Sequence, residues 1–118
     1  EGRVVKTLYV EAGSDIAREM YLAVVMDRSA QAPVVIAAAE GGMDIEELAA
    51  HKPAAIARHR VHPVKGIQGF QLRALTKHLG LSGDQAKAGA KLISGLVQAF
   101  MALDCSLAEI NPMIVTTQ

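Results

Sequence analysis

The run EMYLAVVMD, from Glu19 to Asp27, limits most strongly what this chain can fold into. Successive side chains of a strand point to opposite sides, and this run carries apolar or β-branched residues on both. Such a strand needs a cover on each face. A second apolar run, Val34–Ala39, follows the polar stretch Arg28–Pro33. The two runs predict an antiparallel hairpin with a loose loop.

Alternating apolar residues predict three further strands, over Val4–Glu11, Ala54–Val61 and Leu107–Val115. The second of these contains the charged stretch Arg58–Arg60, which indicates an exposed sheet edge. The chain therefore supplies five predicted strands.

Three helices are predicted from capping signals and from the spacing of apolar residues. They are a short helix that opens at an Asp44–Glu47 capping box and ends before Pro53, a helix over Gln68–Leu79 closed by Gly80, and a long helix from Gly83 to about Leu103 that opens at a Ser82–Gln85 capping box. The long helix has an apolar stripe formed by Leu92, Ile93, Leu96, Val97, Phe100 and Leu103. The order of strands and helices predicts an α+β fold with a mostly antiparallel sheet.

Charge and composition exclude several classes of protein. The 12 Lys and Arg residues balance the 12 Asp and Glu residues, so there is no basic excess with which to bind nucleic acid. Charge-free stretches such as Ser29–Ala39 are too short to cross a bilayer. The single Cys105 forms no internal disulfide, which fits a reducing compartment. The chain does not begin with Met, and we expect it to be part of a longer protein.

The ending SLAEINPMIVT carries the first candidate site. In a regular strand Glu109 and Asn111 share a face, together with Leu107, Met113 and Val115. A carboxylate and an amide oxygen side by side suit a magnesium ion, which takes oxygen ligands. The alternative is a salt bridge made by Glu109 and a turn begun by Asn111, and spacing alone favours that alternative.

A second candidate site lies at the turn after the first predicted strand. Backbone N–H and C=O groups at the end of a strand can form hydrogen bonds with the edge of an adenine ring. The carboxylates of Glu11 and Glu19, on either side of Ser14, could accept hydrogen bonds from ribose hydroxyl groups. An ordinary polar turn is again the simpler interpretation. Glu40-Gly41-Gly42 reads as a glycine turn into an acid-capped helix, because the acids in the first turn would repel phosphate.

Neither the histidines nor the cysteine indicate catalysis. His59 and His62 fall on opposite faces of a strand and have no zinc-spaced partner. His51 and His78 lie near helix C-termini, where a cation complements the helix dipole. Cys105 lacks a recognisable base.

The chain resembles the β subunits of the succinyl-CoA synthetase family in three blocks, whose order and separations also match: LYVEAGSDIAREMYLAVVMDRS, IAAAEGGMDIEELA and LAEINPMIV. The resemblance covers essentially all 118 residues. It implies an ATP-grasp fold, in which two α+β lobes hold a nucleotide between them. It also implies an enzyme that couples ATP or GTP, with Mg²⁺, to the joining of succinate and coenzyme A through a phosphohistidine on a partner α subunit.

The resemblance assigns roles to five residues by their place in the matched blocks. Glu11 matches a hinge glutamate at the adenine end, Ser14 a neighbouring nucleotide contact, and Glu19 a carboxylate near the ribose. Asn111 matches a magnesium ligand. Glu109 matches the glutamate that faces the phosphohistidine.

The same resemblance predicts what the chain lacks. We expect residues 1–118 to form a single partial domain, one lobe without the phosphate-gripping lysine, the aspartate magnesium ligand or the C-terminal domain that contacts coenzyme A. The chain alone is then inactive, and the parent enzyme lies in the bacterial cytoplasm, or in the mitochondrial matrix of a eukaryote. Two alternatives stay open: a related acyl-CoA synthetase such as malate–CoA ligase, and a non-catalytic module that dimerises.

Overall fold

The computed structural model describes residue 2 and residues 4–42 and 45–117. Its elements are strands β1 (Ile16–Asp27) and β2 (Ala32–Ala38), helix α1 (Ile45–His51), a 3-10 turn (Pro53–Ala55), strand β3 (Ile56–Arg60), helices α2 (Gly69–His78) and α3 (Gly83–Ala102), and strand β4 (Leu107–Thr116). The strands form one sheet in the order β3-β2-β1-β4, and every neighbouring pair is antiparallel. The predicted α+β class is confirmed.

β1 and β2 form the predicted hairpin, with Val24 opposite Val35 and Asp27 opposite Ala32. Their turn is closed by the Asp27 carboxylate, whose Oδ1 accepts hydrogen bonds from the Ser29 hydroxyl at 2.6 Å and from the Ser29 and Ala30 amides at 2.9 and 3.1 Å. A short polar side chain that binds the backbone just ahead of it is a common way to fix such a turn.

Both faces of β1 are covered, as its sequence predicts. Met20, Leu22 and Val24 face α2 and α3 in the larger core. That core is completed mainly by Val35, Leu75, Leu79, Ile93, Val97 and Phe100. On the opposite face, which we call the α1 face, Tyr21 and Ala23 pack with Ala38 and Leu48 in a smaller core.

The strand predicted over Val4–Glu11 is wrong. Residues 4–15 belong to no strand, and the side chains of Val4, Leu8 and Val10 are 86, 79 and 86 % exposed. A strand is stabilised by pairing of its N–H and C=O groups with a neighbour. No described residue provides such a neighbour for this segment, so its alternating pattern has nothing to pair with.

The long helix agrees with its predicted span but differs in detail. Ser82 is its N-cap, yet its side chain makes no capping hydrogen bond, so the predicted Ser82–Gln85 capping box is wrong. The apolar stripe is narrower than predicted, because Leu92 and Leu103 are 41 and 74 % exposed. Gly80 ends α2 with a φ of +67°, as predicted. The Asp44 half of the other predicted capping box lies outside the described residues.

The remaining elements match their predictions closely. β3 is an edge strand and lies within the predicted Ala54–Val61. β4 covers the predicted Leu107–Val115. In the part of the chain that the structure describes, no helix combines the length and the apolar character needed to cross a membrane.

Candidate functional site

Glu109 lies on the α1 face of the sheet. It pairs with Ala23 of β1, a member of the smaller core, while its neighbour Ile110 pairs with Leu22 and packs against the larger core. The Glu109 side chain is exposed. The carboxylate is therefore presented on the side of the sheet away from the two long helices.

The buried Tyr21 side chain forms a hydrogen bond with this carboxylate. The Tyr21 side chain is only 5 % exposed, and its hydroxyl group donates a hydrogen bond of 2.9 Å to Glu109 Oε2. Burial first, then the hydrogen bond and negative charge of Glu109, then the charge of Glu46, raise the pKa of Tyr21 to about 12. The phenol is thus a protonated donor at any physiological pH.

A bulge separates Glu109 from the second half of β4. Ile110 pairs with Leu22 and Met113 pairs with Met20, so Asn111 and Pro112 both lie opposite the single residue Tyr21. Beyond the bulge the alternation is inverted, and Met113 is buried in the larger core. The prediction that Glu109 and Met113 share one face is therefore wrong.

Asn111 lies inside this bulge and is exposed, and its peptide bond to Pro112 is cis. Its side chain makes no hydrogen bond with the described residues. It follows Glu109 by two positions and lies opposite Tyr21 in the register, so the two oxygen-bearing side chains are near neighbours along β4. Their donors suit a hard cation such as Mg²⁺, which accepts amide and carboxylate oxygens.

The described residues offer two oxygen donors at this position, Glu109 and Asn111. Among the described residues, no group of three or more His, Cys, Asp and Glu could hold a metal ion. Magnesium commonly completes its shell with phosphate oxygens and water. Two such donors therefore suit a cation only where phosphate or water supplies its remaining ligands.

Glu19 lies on the α1 face, two residues before Tyr21 in β1. Gly41 and Gly42 pack closely against it. The Gly41 amide donates a hydrogen bond of 3.1 Å to the Glu19 carbonyl oxygen. A Cβ at Gly41 would lie 2.6 Å from the Met20 nitrogen, and one at Gly42 would lie 2.8 Å from Glu19 Oε2. Backbone atoms of β1 leave no room for a side chain at Gly41, and the φ of +71° at Gly42 favours glycine, a close approach that the sequence interpretation of a simple turn missed.

Ser14 lies where the beginning of β1 meets the end of β4. It lines a small hollow of about 150 Å³ with Gly13, Asp15 and Thr116, and the Thr117 amide donates a 3.0 Å hydrogen bond to the Asp15 carbonyl oxygen. Glu11 is exposed, and no hydrogen bond or ion pair ties it to the other described residues. Of the five predicted site residues, Glu109 and Asn111 lie two positions apart on β4, Glu19 lies on the same sheet face as Glu109, Ser14 lies just before β1, and Glu11 lies in the exposed segment ahead of it.

Two histidines stabilise the backbone. His62 Nδ1 accepts hydrogen bonds of 3.1 Å from the Val64 and Lys65 amides, and His78 Nε2 lies 2.8 Å from the Ala55 carbonyl oxygen. Larger hollows of about 540 and 650 Å³ lie beside the turn that contains His62. None of the five predicted site residues lines them.

The comparison with protein families identifies the class. A family model described as an ATP-grasp domain matches residues 1–115, and the chain therefore belongs to the ATP-grasp domain family. Its described residues form an antiparallel sheet with α2 and α3 on one face and α1, together with Glu19 and Glu109, on the other.

Individual relatives are more specific. The chain is 50 % identical over 115 residues to a protein of Acidiphilium cryptum named succinate–CoA ligase [ADP-forming] subunit beta. Proteins with the same name from Rhodospirillum rubrum and Chloroherpeton thalassium are 47 and 43 % identical over 116 and 118 residues. These matches cover 98 to 100 % of the chain but only about 29 to 30 % of each relative. They confirm the resemblance found in the sequence.

Proposed function

We propose that this chain is part of the nucleotide-binding region of a succinate–CoA ligase β subunit. The observation that carries the proposal is the Glu109 carboxylate, held on the α1 face by a buried tyrosine and followed by Asn111 in a bulge. The name and the near-complete coverage of the chain in its bacterial relatives support the same assignment. The parent enzyme would form succinyl-CoA from succinate and coenzyme A, with ATP or GTP as the phosphoryl donor.

Each site residue has one task in this proposal. Glu11, Ser14 and Glu19 contact the nucleoside, Glu19 through its carboxylate at the ribose. Asn111 offers its amide oxygen to the nucleotide-bound Mg²⁺, which supplies charge neutralisation on the phosphates. Glu109 faces the histidine of the partner α subunit, where a carboxylate can orient the imidazole for phosphoryl transfer.

The chain would form one partial lobe of the enzyme. It spans about 29 % of the length of the relatives it matches, so the phosphate-binding lysine, the aspartate metal ligand and the coenzyme A domain are proposed to lie elsewhere in the parent subunit. Because these relatives are bacterial, we propose a cytoplasmic location for the parent enzyme.

The test is a pair of substitutions in the intact two-subunit enzyme. Glu109→Gln removes the charge but keeps the size, and we expect phosphohistidine formation from labelled ATP to slow by roughly 10²–10⁴-fold, the range for loss of a catalytic group. Nucleotide affinity, measured by calorimetry, should stay unchanged. Asn111→Ala should instead raise the concentration of Mg²⁺–nucleotide needed for half-maximal rate.

A matched control lies on the same strand. Leu107→Ala alters a half-exposed β4 residue two positions before Glu109 and should change neither quantity. Unchanged phosphohistidine formation in Glu109→Gln would remove Glu109 from the site and with it the proposal.

A further inference from the structure

The hydroxyl group of Tyr21 is not needed for packing of the smaller core. The residue is buried in the smaller core, where its ring packs with Ala23, Ala38 and Leu48. Its hydroxyl group nevertheless reaches an exposed carboxylate 88 positions away in the sequence, Glu109 on the neighbouring strand. A phenylalanine would fill the same apolar space, so the hydroxyl group serves the contact with Glu109 rather than the core.

The contact restrains a side chain that would otherwise be mobile. Glutamate has three rotatable side-chain bonds, and an exposed one exchanges between rotamers freely. Glu109 is exposed, and it lies on an edge strand two residues before Asn111 of the bulge. A buried donor fixed at 2.9 Å from Oε2 limits the carboxylate to a narrow set of orientations.

We propose that Tyr21 is a positioning residue that binds Glu109 Oε2 and leaves the second oxygen, Oε1, free to accept a hydrogen bond from the reacting imidazole. This inference rests on the proposed function. Tyr21 itself touches neither the nucleotide nor the imidazole and acts only through Glu109. A carboxylate held by one oxygen orients its partner in the same way as the outer-shell groups that fix metal-bound histidines.

The protonation state of Tyr21 supports this arrangement. Its raised pKa, caused first by burial, keeps the hydroxyl hydrogen in place as a donor at neutral pH. The other charged group that acts on the phenol is Glu46, which belongs to α1. The negative charges of Glu109 and Glu46 both favour the neutral phenol, so Tyr21 remains the hydrogen-bond donor to Glu109.

The experiment is a double-mutant cycle in the intact two-subunit enzyme. Tyr21→Phe should slow phosphohistidine formation by about tenfold, the effect of losing one hydrogen bond to a charged group, while the KM for nucleotide stays within about twofold. In the Glu109→Gln background, Tyr21→Phe should have no further effect. The control is Tyr9→Phe, which removes the hydroxyl group of the chain's other tyrosine, 86 % exposed, and should leave the rate unchanged.

The outcomes separate the two proposals. A normal rate in Glu109→Gln overturns the proposed function. A slow Glu109→Gln with a normal Tyr21→Phe overturns only the positioning role, and so does an equal loss in both backgrounds, which indicates a purely structural effect. Should Tyr21→Phe fail to fold, a crystal structure of the wild-type enzyme decides: a Tyr21 Oη–Glu109 Oε2 distance above about 3.5 Å contradicts the inference.

Discussion

At Gly41 the chain has no room for a side chain. An added Cβ would lie 2.6 Å from the Met20 nitrogen and 2.7 Å from the Glu19 carbonyl carbon. Both are backbone atoms of β1, so no rotamer change relieves the overlap. The turn before α1 must therefore shift if Gly41 is replaced, and Glu19 shifts with it.

We expect Gly41→Ala to lower the free energy of unfolding by about 1–3 kcal/mol, the usual cost of overpacking. Urea unfolding followed by circular dichroism measures the change. The matched control is Gly95→Ala in α3, where no atom lies within 4 Å of the added Cβ. That substitution should raise stability by about 0.5–1 kcal/mol, because alanine favours a helix. Equal stability of Gly41→Ala and wild type would contradict the close approach.

At the scale of the secondary-structure elements, the turn between β1 and β2 is closed by one carboxylate, that of Asp27. The Ser29 hydroxyl group, followed by the Ala30 amide, lowers the pKa of the Asp27 carboxyl below its ordinary value of 3.8. A group whose pKa is lower in the folded state contributes stability above its ordinary pKa. That contribution is lost as the pH falls through the folded value.

We therefore expect the free energy of unfolding to fall as the pH is lowered from above 3.8 through the pKa of folded Asp27. Carboxyl carbon NMR should place that pKa below 3.8 in the wild type and nearer to 3.8 in Ser29→Ala. Ser82→Ala, at the beginning of α3, serves as the control and should leave the Asp27 titration unchanged. An Asp27 pKa that is insensitive to Ser29→Ala would rule out the hydroxyl group as its main cause.

The segment before β1 shows what an element requires beyond its pattern. Val4, Leu8 and Val10 alternate as in a strand, yet they are exposed and unpaired with the described residues. Exposed apolar side chains on an unpaired backbone favour association with another strand. An alternating pattern therefore forms a strand only where a neighbouring strand is present to pair with it.

On the scale of the whole molecule, the chain carries one face of a proposed nucleotide site. Asn111, the proposed magnesium ligand, would need phosphate and further ligands to complete the shell of the ion. The relatives are more than three times as long as the chain, whose share of each is about 29 to 30 %. We therefore propose that the nucleotide is held between this chain and parts of the parent subunit outside it.

The purified chain should accordingly show no measurable succinate-dependent ATP turnover, because the phosphate-binding and coenzyme A-binding parts are proposed to lie elsewhere. A coupled assay for ADP release, run beside an intact succinate–CoA ligase, measures this. Turnover by the chain at a rate comparable with the intact enzyme would refute its assignment as a partial lobe.

The sequence by itself determined most of the local elements of this protein. The short apolar runs of β1 and β2, with polar stretches beside them, indicate buried strands, and the stripe through Ile93, Val97 and Phe100 has the spacing of a helix. The three matched blocks also indicate the family without reference to the fold. Glu109 and Asn111 are candidates through the same blocks.

Only the tertiary structure decided how distant segments meet. The bulge opposite Tyr21 inverts the alternation of β4, so strict periodicity misplaces Met113 relative to Glu109. The hydrogen bond from Tyr21 to Glu109 and the approach of Gly41 to β1 join residues that no local pattern relates. Sequence periodicity records which face a residue takes along its own strand. Register and proximity depend on the neighbouring strand, whose position is set by packing of the whole domain.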